Sequence, residues 1–312
     1  MTTQPTLLES EELAARAKQG VIFAVAAYTI WGIAPIYFKS IIQVAPLEIL
    51  SHRIIWSFLF LAVLLYFTKG WQRIGDTIKD KKKCLFLLGS SVTIACNWLV
   101  FIWAVNNNHM LDASLGYYIN PLFSVLLGML FMQERLRKLQ WFAVALAAVG
   151  VIVQLIVFGS LPIVALILAT SFGIYGLLRK KVNLDAMTGL FIETLVLLPV
   201  ALAYMLLIAD SPTSVLSQNS LQLNTLLISA GIITTVPLLC FAGAATRLRL
   251  STLGFIQYIG PSLMFILAVF AYGEAFSQDK IITFACIWLA LIVFTFDGLK
   301  HRPKRAPAAI IK

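Results

Sequence analysis

The segment MTGLFIETLVLLPVALAYMLLI, residues 187–208, contains only one charged side chain, Glu193, in 22 residues. A bilayer core about 30 Å thick needs roughly 20 consecutive apolar residues in a helix, so this segment is predicted to cross a membrane. Nine further stretches have the same character. The chain is therefore predicted to cross ten times, at 20–38, 47–67, 84–105, 112–132, 140–157, 161–178, 187–208, 224–244, 252–272 and 281–299.

The composition leaves little chain for anything else. Hydrophobic residues make up 60% of the sequence and charged residues 12%, and the mean hydropathy is +0.90. The apolar runs are continuous, whereas the strands of a membrane barrel alternate between apolar and polar residues. The predicted fold class is therefore an all-α integral membrane protein with ten transmembrane helices.

Lys and Arg residues collect in every second connection between the predicted spans. The two tails (1–19 and 300–312) and the connections after spans 2, 4, 6 and 8 hold 21 of the 24 basic residues. The other connections hold only Lys39 and Lys280, and Arg53 lies inside a span. Because basic residues favour the cytoplasmic side, both termini are predicted to be cytoplasmic.

The same distribution explains the net charge of +10. A basic chain could bind nucleic acid, but charges that alternate from loop to loop follow membrane topology, so no nucleic-acid partner is predicted. The runs Lys81–Lys83 and Arg179–Lys181 are assigned to cytoplasmic loops. Contact with anionic lipid headgroups is a secondary role for such runs.

The second half of the chain repeats the first at a shift of 140 residues. Tyr118 aligns with Tyr258, Pro121 with Pro261, and Glu134 with Glu274. The predicted domains are a first repeat at 20–157 and a second at 160–299, each with five helices. Since five is odd, the copies face opposite ways across the bilayer. Such inverted repeats suit alternating access, and a duplicated scaffold without transport is the alternative.

Two charges lie within predicted spans at equivalent positions of the two repeats, Arg53 and Glu193. Charged residues inside membranes are costly and often line a transport pathway. One interpretation is that the two charges line a cavity, one near each of its openings. In that case Glu193 is the first candidate for a proton carrier and His52 the second. The other is that each charge ties its helix to a neighbour or reaches the headgroups.

Further polar and aromatic side chains in the spans are candidates for the wall of a central substrate cavity. Amide and phenol groups suit a binding cavity, but they also join helices to each other. The candidates, in addition to Arg53, are Trp31, His52, Asn97, Trp98, Tyr117, Tyr118, Asn120, Gln257 and Tyr258.

No catalytic or metal-binding arrangement is evident. The three histidines, His52, His109 and His301, are not at metal-ligand spacing, and no phosphate-binding loop or nucleophile motif is present. The four cysteines do not form a disulfide framework. The chain is predicted not to be an enzyme and to need no cofactor.

Residues 95–136, ACNWLVFIWAVNNNHMLDASLGYYINPLFSVLLGMLFMQERL, resemble the RarD branch of the EamA-type drug/metabolite transporter superfamily. AYTIWGIAPIYFK in the first span and SHRIIWS in the second are also similar to that branch. The resemblance implies a bacterial inner-membrane protein of ten helices, built from two inverted EamA repeats around a central cavity.

The resemblance implies a secondary transporter that exports a small metabolite or drug by alternating access. Its partners would be a small-molecule substrate and the lipid bilayer, and no oligomeric state follows from the sequence. Two alternatives stay open, a passive facilitator and a membrane scaffold or sensor subunit that transports nothing. The family supplies no binding residues to transfer, so the candidate cavity residues rest on their chemistry alone.

Overall fold

A computed structural model describes residues 7–106, 110–159, 163–271 and 278–301. In these ranges every regular element is helical. The predicted start of the second repeat at 160, Glu274 and residues 302–312 of the C-terminal tail lie outside them. The helices are α1 (Leu7–Lys39), α2 (Pro46–Phe67), α3 (Trp71–Lys79), α4 (Lys81–Asn106), α5 (Met110–Met132), α6 (Lys138–Phe158), α7 (Ile163–Val182), α8 (Ala186–Leu207), α9 (Leu221–Ala245), α10 (Leu250–Gln257), α11 (Ile259–Ile266) and α12 (Gln278–Lys300).

The helices have the lengths that a membrane requires. Eight helical segments in the described chain are long and apolar enough to cross a bilayer. Two shorter apolar helices, Gly116–Met132 and Leu250–Ile266, fall where the predicted spans 112–132 and 252–272 lie. The predicted class, an all-helical membrane protein, is confirmed.

Two helical segments extend beyond the predicted spans. Helix α1 begins at Leu7, well before residue 20, because residues 7–19 are mostly Leu, Glu, Ala, Arg and Lys, which favour helix even outside an apolar environment. The connection between α2 and α4 contains the short amphipathic helix α3, with Ile74 and Thr77 buried and the basic residues exposed.

The ninth predicted span is not one continuous helix. Helix α10 ends at Gln257, Tyr258 forms a turn, and α11 begins at Ile259. A π-helical turn follows at Leu267–Ala271. Pro261 has no N–H, so the carbonyl of Gln257 receives no helical hydrogen bond from it. Pro121 lies inside α5, which nevertheless stays unbroken.

The bundle is built from a few extensive helix pairs. Helix α7 packs against α4 and α5, α9 against α1 and α2, and α8 against α2. Helix α5 lies along α10 but makes only sparse contact with α11. Helices α6 and α12 pack mainly on each other at the side of the bundle, around Ala143, Ala147, Ile287 and Ala290.

Two glycines allow backbones to touch. At Gly231 of α9, a methyl group would lie 2.5 Å from the carbonyl carbon of Trp56 in α2. At Gly254 of α10, it would lie 2.7 Å from the carbonyl oxygen of Pro121 in α5. Small residues at such crossings are the usual means of close helix packing in membranes. The α2–α9 and α5–α10 crossings are therefore fixed by backbone contact.

Candidate functional site

Four helices converge on Arg53 of α2. Its Nε donates a hydrogen bond to Thr234 Oγ1 of α9 at 2.9 Å. Its guanidinium carbon lies 4.7 Å from the ring centre of Trp98 in α4 and 5.7 Å from that of Phe38 in α1. Tyr117 of α5 is close enough to interact with the charge. These five residues are called the Arg53 cluster below.

The Arg53 cluster is not sealed. Arg53, Phe38, Trp98 and Tyr117 are all only partly buried. No carboxylate in the described chain pairs with Arg53, and its two Nη groups make no hydrogen bond to any described residue. A guanidinium group has five N–H donors, so most of the donors of Arg53 are available to another molecule.

Glu193 of α8 has a very different environment. The Nη1 of Arg179 lies 3.5 Å from its Oε1, and the hydroxyl of Tyr175 donates to its Oε2 at 3.3 Å. The hydroxyl of Ser90 in α4 donates to Oε1 as well. The side chains of Arg179 and Glu193 are 0% and 1% exposed. Glu193 is therefore a charge-compensated carboxylate in a closed environment, here called the Glu193 cluster.

The assignment of Arg179 to a cytoplasmic loop was wrong. Helix α7 continues to Val182, and Arg179 points inward from its last turn, where Nη2 also donates to the carbonyl of Ala186. Gly189 of α8 makes room for it, because a methyl group there would overlap the guanidinium group. The spacing of Tyr175 and Arg179, four residues apart on one helix face, was the available signal.

His52 bonds within its own helix, whereas Asn97 bonds a neighbouring helix. His52 is 3% exposed, and its Nδ1 accepts a hydrogen bond from Trp56 Nε1 at 3.2 Å. Its Nε2 has no hydrogen-bond partner within the described residues. The amide of Asn97 donates to Leu168 O at 2.9 Å and to Ser171 Oγ at 3.0 Å. Asn97 therefore ties α4 to α7.

A second group of predicted residues lies in the aromatic core. The ring centre of Trp31 is 5.6 Å from those of Tyr28 and Phe172, and 5.9 Å from that of Phe241. The hydroxyl of Tyr28 donates to Gln257 Oε1 at 3.5 Å. Packing between helices accounts for the position of Trp31.

Asn120 and the two tyrosines complete the predicted set. Asn120 is 4% exposed, and its Oδ1 has no hydrogen-bond partner in the described part of the chain. The hydroxyl of Tyr258 donates to Tyr118 O at 3.3 Å, and the Tyr118 ring meets Phe284 of α12 at 5.6 Å. The two tyrosines therefore contact the α6–α12 side. Of the predicted cavity residues, only Trp98 and Tyr117 gather around Arg53.

Glu134, which follows α5, holds the start of α10. Its Oε1 accepts a hydrogen bond from Leu250 N at 2.6 Å, and its Oε2 accepts from Ser251 N at 3.0 Å and Ser251 Oγ at 2.7 Å. Arg249 Nε lies 3.7 Å from the same carboxylate and Nη2 donates to Arg135 O. An acid at a helix N-terminus satisfies its free N–H groups. We call this the Glu134 clamp.

A second ion cluster joins α6 to α12 at the same end of the bundle. Asp297 is fully buried, and its Oδ2 accepts from Arg137 Nε at 2.7 Å. His301 Nδ1 lies 3.2 Å from Asp297 Oδ1. Among the described residues, no group of three His, Cys, Asp or Glu side chains could hold a metal ion.

Comparisons with known proteins agree with this architecture. The profile of the EamA-like transporter family matches residues 18–156. An "Uncharacterized transporter" of Vibrio cholerae is 63% identical over 292 residues, which cover 93% of this chain and 97% of that protein. "Protein RarD" of Escherichia coli is 59% identical over 286 residues, covering 92% and 97%.

A solved crystal structure has the same fold. It superposes with a TM-score of 0.69 at 16% sequence identity and covers 92% of this chain and 99% of its own. At this low identity the likeness concerns the fold alone.

Proposed function

Because the chain belongs to the EamA-like transporter family and within it to the RarD branch, we propose that it is a secondary transporter that exports a small metabolite or drug by alternating access. One observation carries the proposal beyond the family: a partly buried arginine, whose Nη groups bond none of the described residues, lies where α1, α2, α4, α5 and α9 converge. Charged side chains inside membrane spans commonly mark substrate or ion pathways, which favours a carrier over a scaffold.

The proposed layout is ten spans in two inverted five-helix repeats. Four helix starts in the second half follow their counterparts by 140 residues, the shift that aligns the two copies of the sequence: α2 and α8, α4 and α9, α5 and α10, and α6 and α12. Helices α10 and α11 together take the place of α5. The packing is reciprocal too, since α4 lies on α7 as α9 lies on α1.

The proposed access state is supported by how α5 meets the broken helix. Helix α5 is in backbone contact with α10 through Gly254 and Pro121, but it touches α11 only sparsely. The Glu134 clamp lies at the closed end. In the proposed topology that end is cytoplasmic, so these contacts support a conformation that is closed to the cytoplasm, with α5 and α11 apart on the outer side. Alternating access would release the clamp.

The proposed location is the bacterial inner membrane with both termini in the cytoplasm. The division of basic residues between the two sides supports this orientation, and it is 20 to 2 when the buried Arg179 is left out. Reporter fusions after Lys312 test it. A fusion that is active as a cytoplasmic reporter and silent as a periplasmic one is expected, and the reverse pattern would refute the orientation.

Flux measurements test the transport proposal. Purified protein is reconstituted in liposomes, and the uptake of amino acids, nucleosides and antibiotics is screened against protein-free liposomes. At least one compound should show saturable flux that Arg53→Gln reduces, while Arg73→Gln on the exposed face of α3 leaves it unchanged. A scaffold or sensor subunit would give no flux with any compound, and a passive facilitator would give flux that no ion gradient drives.

Glu193 is the proposed proton carrier if that flux is driven by a pH gradient. It is buried within a span and contacts Arg179, Tyr175 and Ser90. A change in its protonation would therefore alter the contacts that join α4, α7 and α8. The alternative is that the Arg179 pair keeps it permanently ionised as a tie between α7 and α8.

A further inference from the structure

The two equivalent charges of the repeats differ in how they are compensated. Arg53 and Glu193 lie 140 residues apart, in α2 and α8. Glu193 has its own cation, Arg179, at 3.5 Å. Arg53 has only neutral partners in the described chain. They are the Thr234 hydroxyl, the rings of Trp98 and Phe38, and the phenols of Tyr37 and Tyr117, which are close enough to interact with its charge. Of these two charges, one is neutralised and the other lacks a counter-ion among the described residues.

A cation without a counter-ion is expensive inside a membrane. Insertion scales place arginine at the centre of a helix among the most costly side chains. The aromatic faces and one hydroxyl offset part of this cost, and a bound anion would offset the remainder. We propose that Arg53 binds the anionic group of the transported molecule, and that this molecule is a small organic monocarboxylate. The inference rests on the proposed transport function, since it names the class of cargo.

The donor geometry favours a carboxylate. Thr234 occupies Nε of Arg53, which leaves the two Nη groups side by side. Two parallel N–H donors match the two oxygens of a carboxylate. The Arg53 cluster contains a single cationic side chain, so it balances one negative charge. A phosphate monoester carries nearly two charges near neutral pH, and its second charge would stay uncompensated there.

The surroundings suit an organic acid with an apolar body. The partly buried rings of Phe38 and Trp98 lie against the guanidinium group, Tyr117 is close enough to interact with its charge, and the Phe101 ring lies 6.1 Å from that of Tyr117. The Trp98 ring also restricts the rotation of the Arg53 side chain, which lowers the entropy lost on binding. Trp98 is therefore a positioning residue, and Arg53 is the group that contacts the anion.

Binding to the purified full-length protein in detergent tests the inference. Acetate, phenylacetate and indole-3-acetate are titrated, each against its uncharged amide, and phenyl phosphate is compared with phenylacetate. A charge-assisted hydrogen bond contributes about 1.5–3 kcal/mol, so a fitting carboxylate should bind about 10- to 100-fold more tightly than its amide. The inference is overturned if no carboxylate is preferred to its amide, or if phenyl phosphate binds more tightly than phenylacetate.

Variants assign the preference to Arg53. Arg53→Gln should abolish the difference in affinity between acid and amide. Arg53→Lys should retain part of that difference, because lysine keeps the charge but lacks the two parallel N–H donors. Arg73→Gln makes the same charge change on an exposed helix and should behave as the wild type. Trp98→Phe should weaken binding of acid and amide together while leaving the acid preferred.

A labelling measurement covers the case in which Arg53→Gln does not fold. In the wild-type protein, phenylglyoxal should modify Arg53 and not the fully buried Arg179, and the preferred carboxylate should protect Arg53. Labelling of Arg53 that no carboxylate reduces would contradict the inference.

The binding assay also separates this inference from the transport proposal. Carboxylate binding that depends on Arg53, in a protein without flux, would keep the inference about the site and reject transport. Flux of uncharged compounds that no carboxylate inhibits would support the transport proposal and reject the inference about the site.

Discussion

Arg179 and Glu193 form an ion pair with 3.5 Å between Nη1 and Oε1, and neither side chain is more than 1% exposed. The pair joins α7 to α8 close to the turn that connects them. A buried ion pair adds little net stability compared with a well-packed apolar pair, but the loss of one partner leaves a charge without compensation. This part of the bundle should therefore tolerate paired changes better than single ones.

Replacing Arg179 alone should be severe. Arg179→Leu is expected to lower the free energy of unfolding by about 3–5 kcal/mol, because Glu193 would stay buried without a cation. The double variant Arg179→Leu/Glu193→Leu should recover most of that loss. Unfolding of the detergent-solubilised protein measures both, with Arg73→Leu on exposed α3 as the matched control. An Arg179→Leu protein as stable as this control would contradict the expectation.

Glu193→Gln separates the two interpretations of that carboxylate. The substitution keeps the shape and removes the titration. If Glu193 carries the proton, accumulation driven by a pH gradient should be lost, while exchange of substrate across the membrane continues. Both are measured in proteoliposomes with a compound found in the flux screen. A well-expressed Glu193→Gln protein with undiminished gradient-driven accumulation would rule out the coupling role.

In the proposed topology, the Glu134 clamp should keep the cytoplasmic end closed. Glu134→Ala removes three hydrogen bonds to Leu250 and Ser251, and the loss of such a cap costs about 0.5–2 kcal/mol. A cysteine at buried Ser124 should then react faster with a water-soluble thiol reagent in inside-out vesicles, in a background without the four native cysteines.

The matched control for the clamp is Glu134→Gln, which keeps one oxygen acceptor and removes the charge. It should give an intermediate rate of labelling. Equal rates in all three proteins would mean that the clamp does not govern access from that side.

The close helix crossing at Gly231 gives a test of packing. Gly231→Ala places a methyl group against the backbone of Trp56, with nothing flexible to yield, and overpacking of this kind typically costs about 1–3 kcal/mol. Gly75 lies inside α3 with open space around it. Gly75→Ala should therefore stabilise the protein by about 0.5–1 kcal/mol. Unfolding measurements that rank the two variants the other way would contradict the described crossing.

Much of the fold was predictable because bilayer thickness fixes the length of an apolar helix. The start of α8 at Ala186 lies within one residue of the predicted 187. The break at Tyr258 was not predicted, because Pro121 and Pro261 occupy equivalent positions and only the second accompanies a break. A proline permits a break, and the neighbouring helices decide whether it forms.

The candidate site was harder to predict than the fold. The chemistry of Arg53 and Trp98 identified them as cavity candidates, and the structure brings them together. Arg179 was missed because the sequence alone does not show whether a basic residue at the end of a helix points to solvent or into the bundle. Tyr118 follows Tyr117 but meets Phe284, because successive residues of a helix point about 100° apart.

Helices α6 and α12 pack mainly on each other, and they are counterparts in the proposed repeat. If the two halves exchange conformations during transport, α6 takes the place of α12 and α12 that of α6. The packing between these two helices then stays the same. Spectroscopic labels on exposed positions of the pair, such as Ile152 and Ile292, should keep a constant separation throughout the cycle. They would provide a stationary frame of reference against which the displacement of every other helix could be measured.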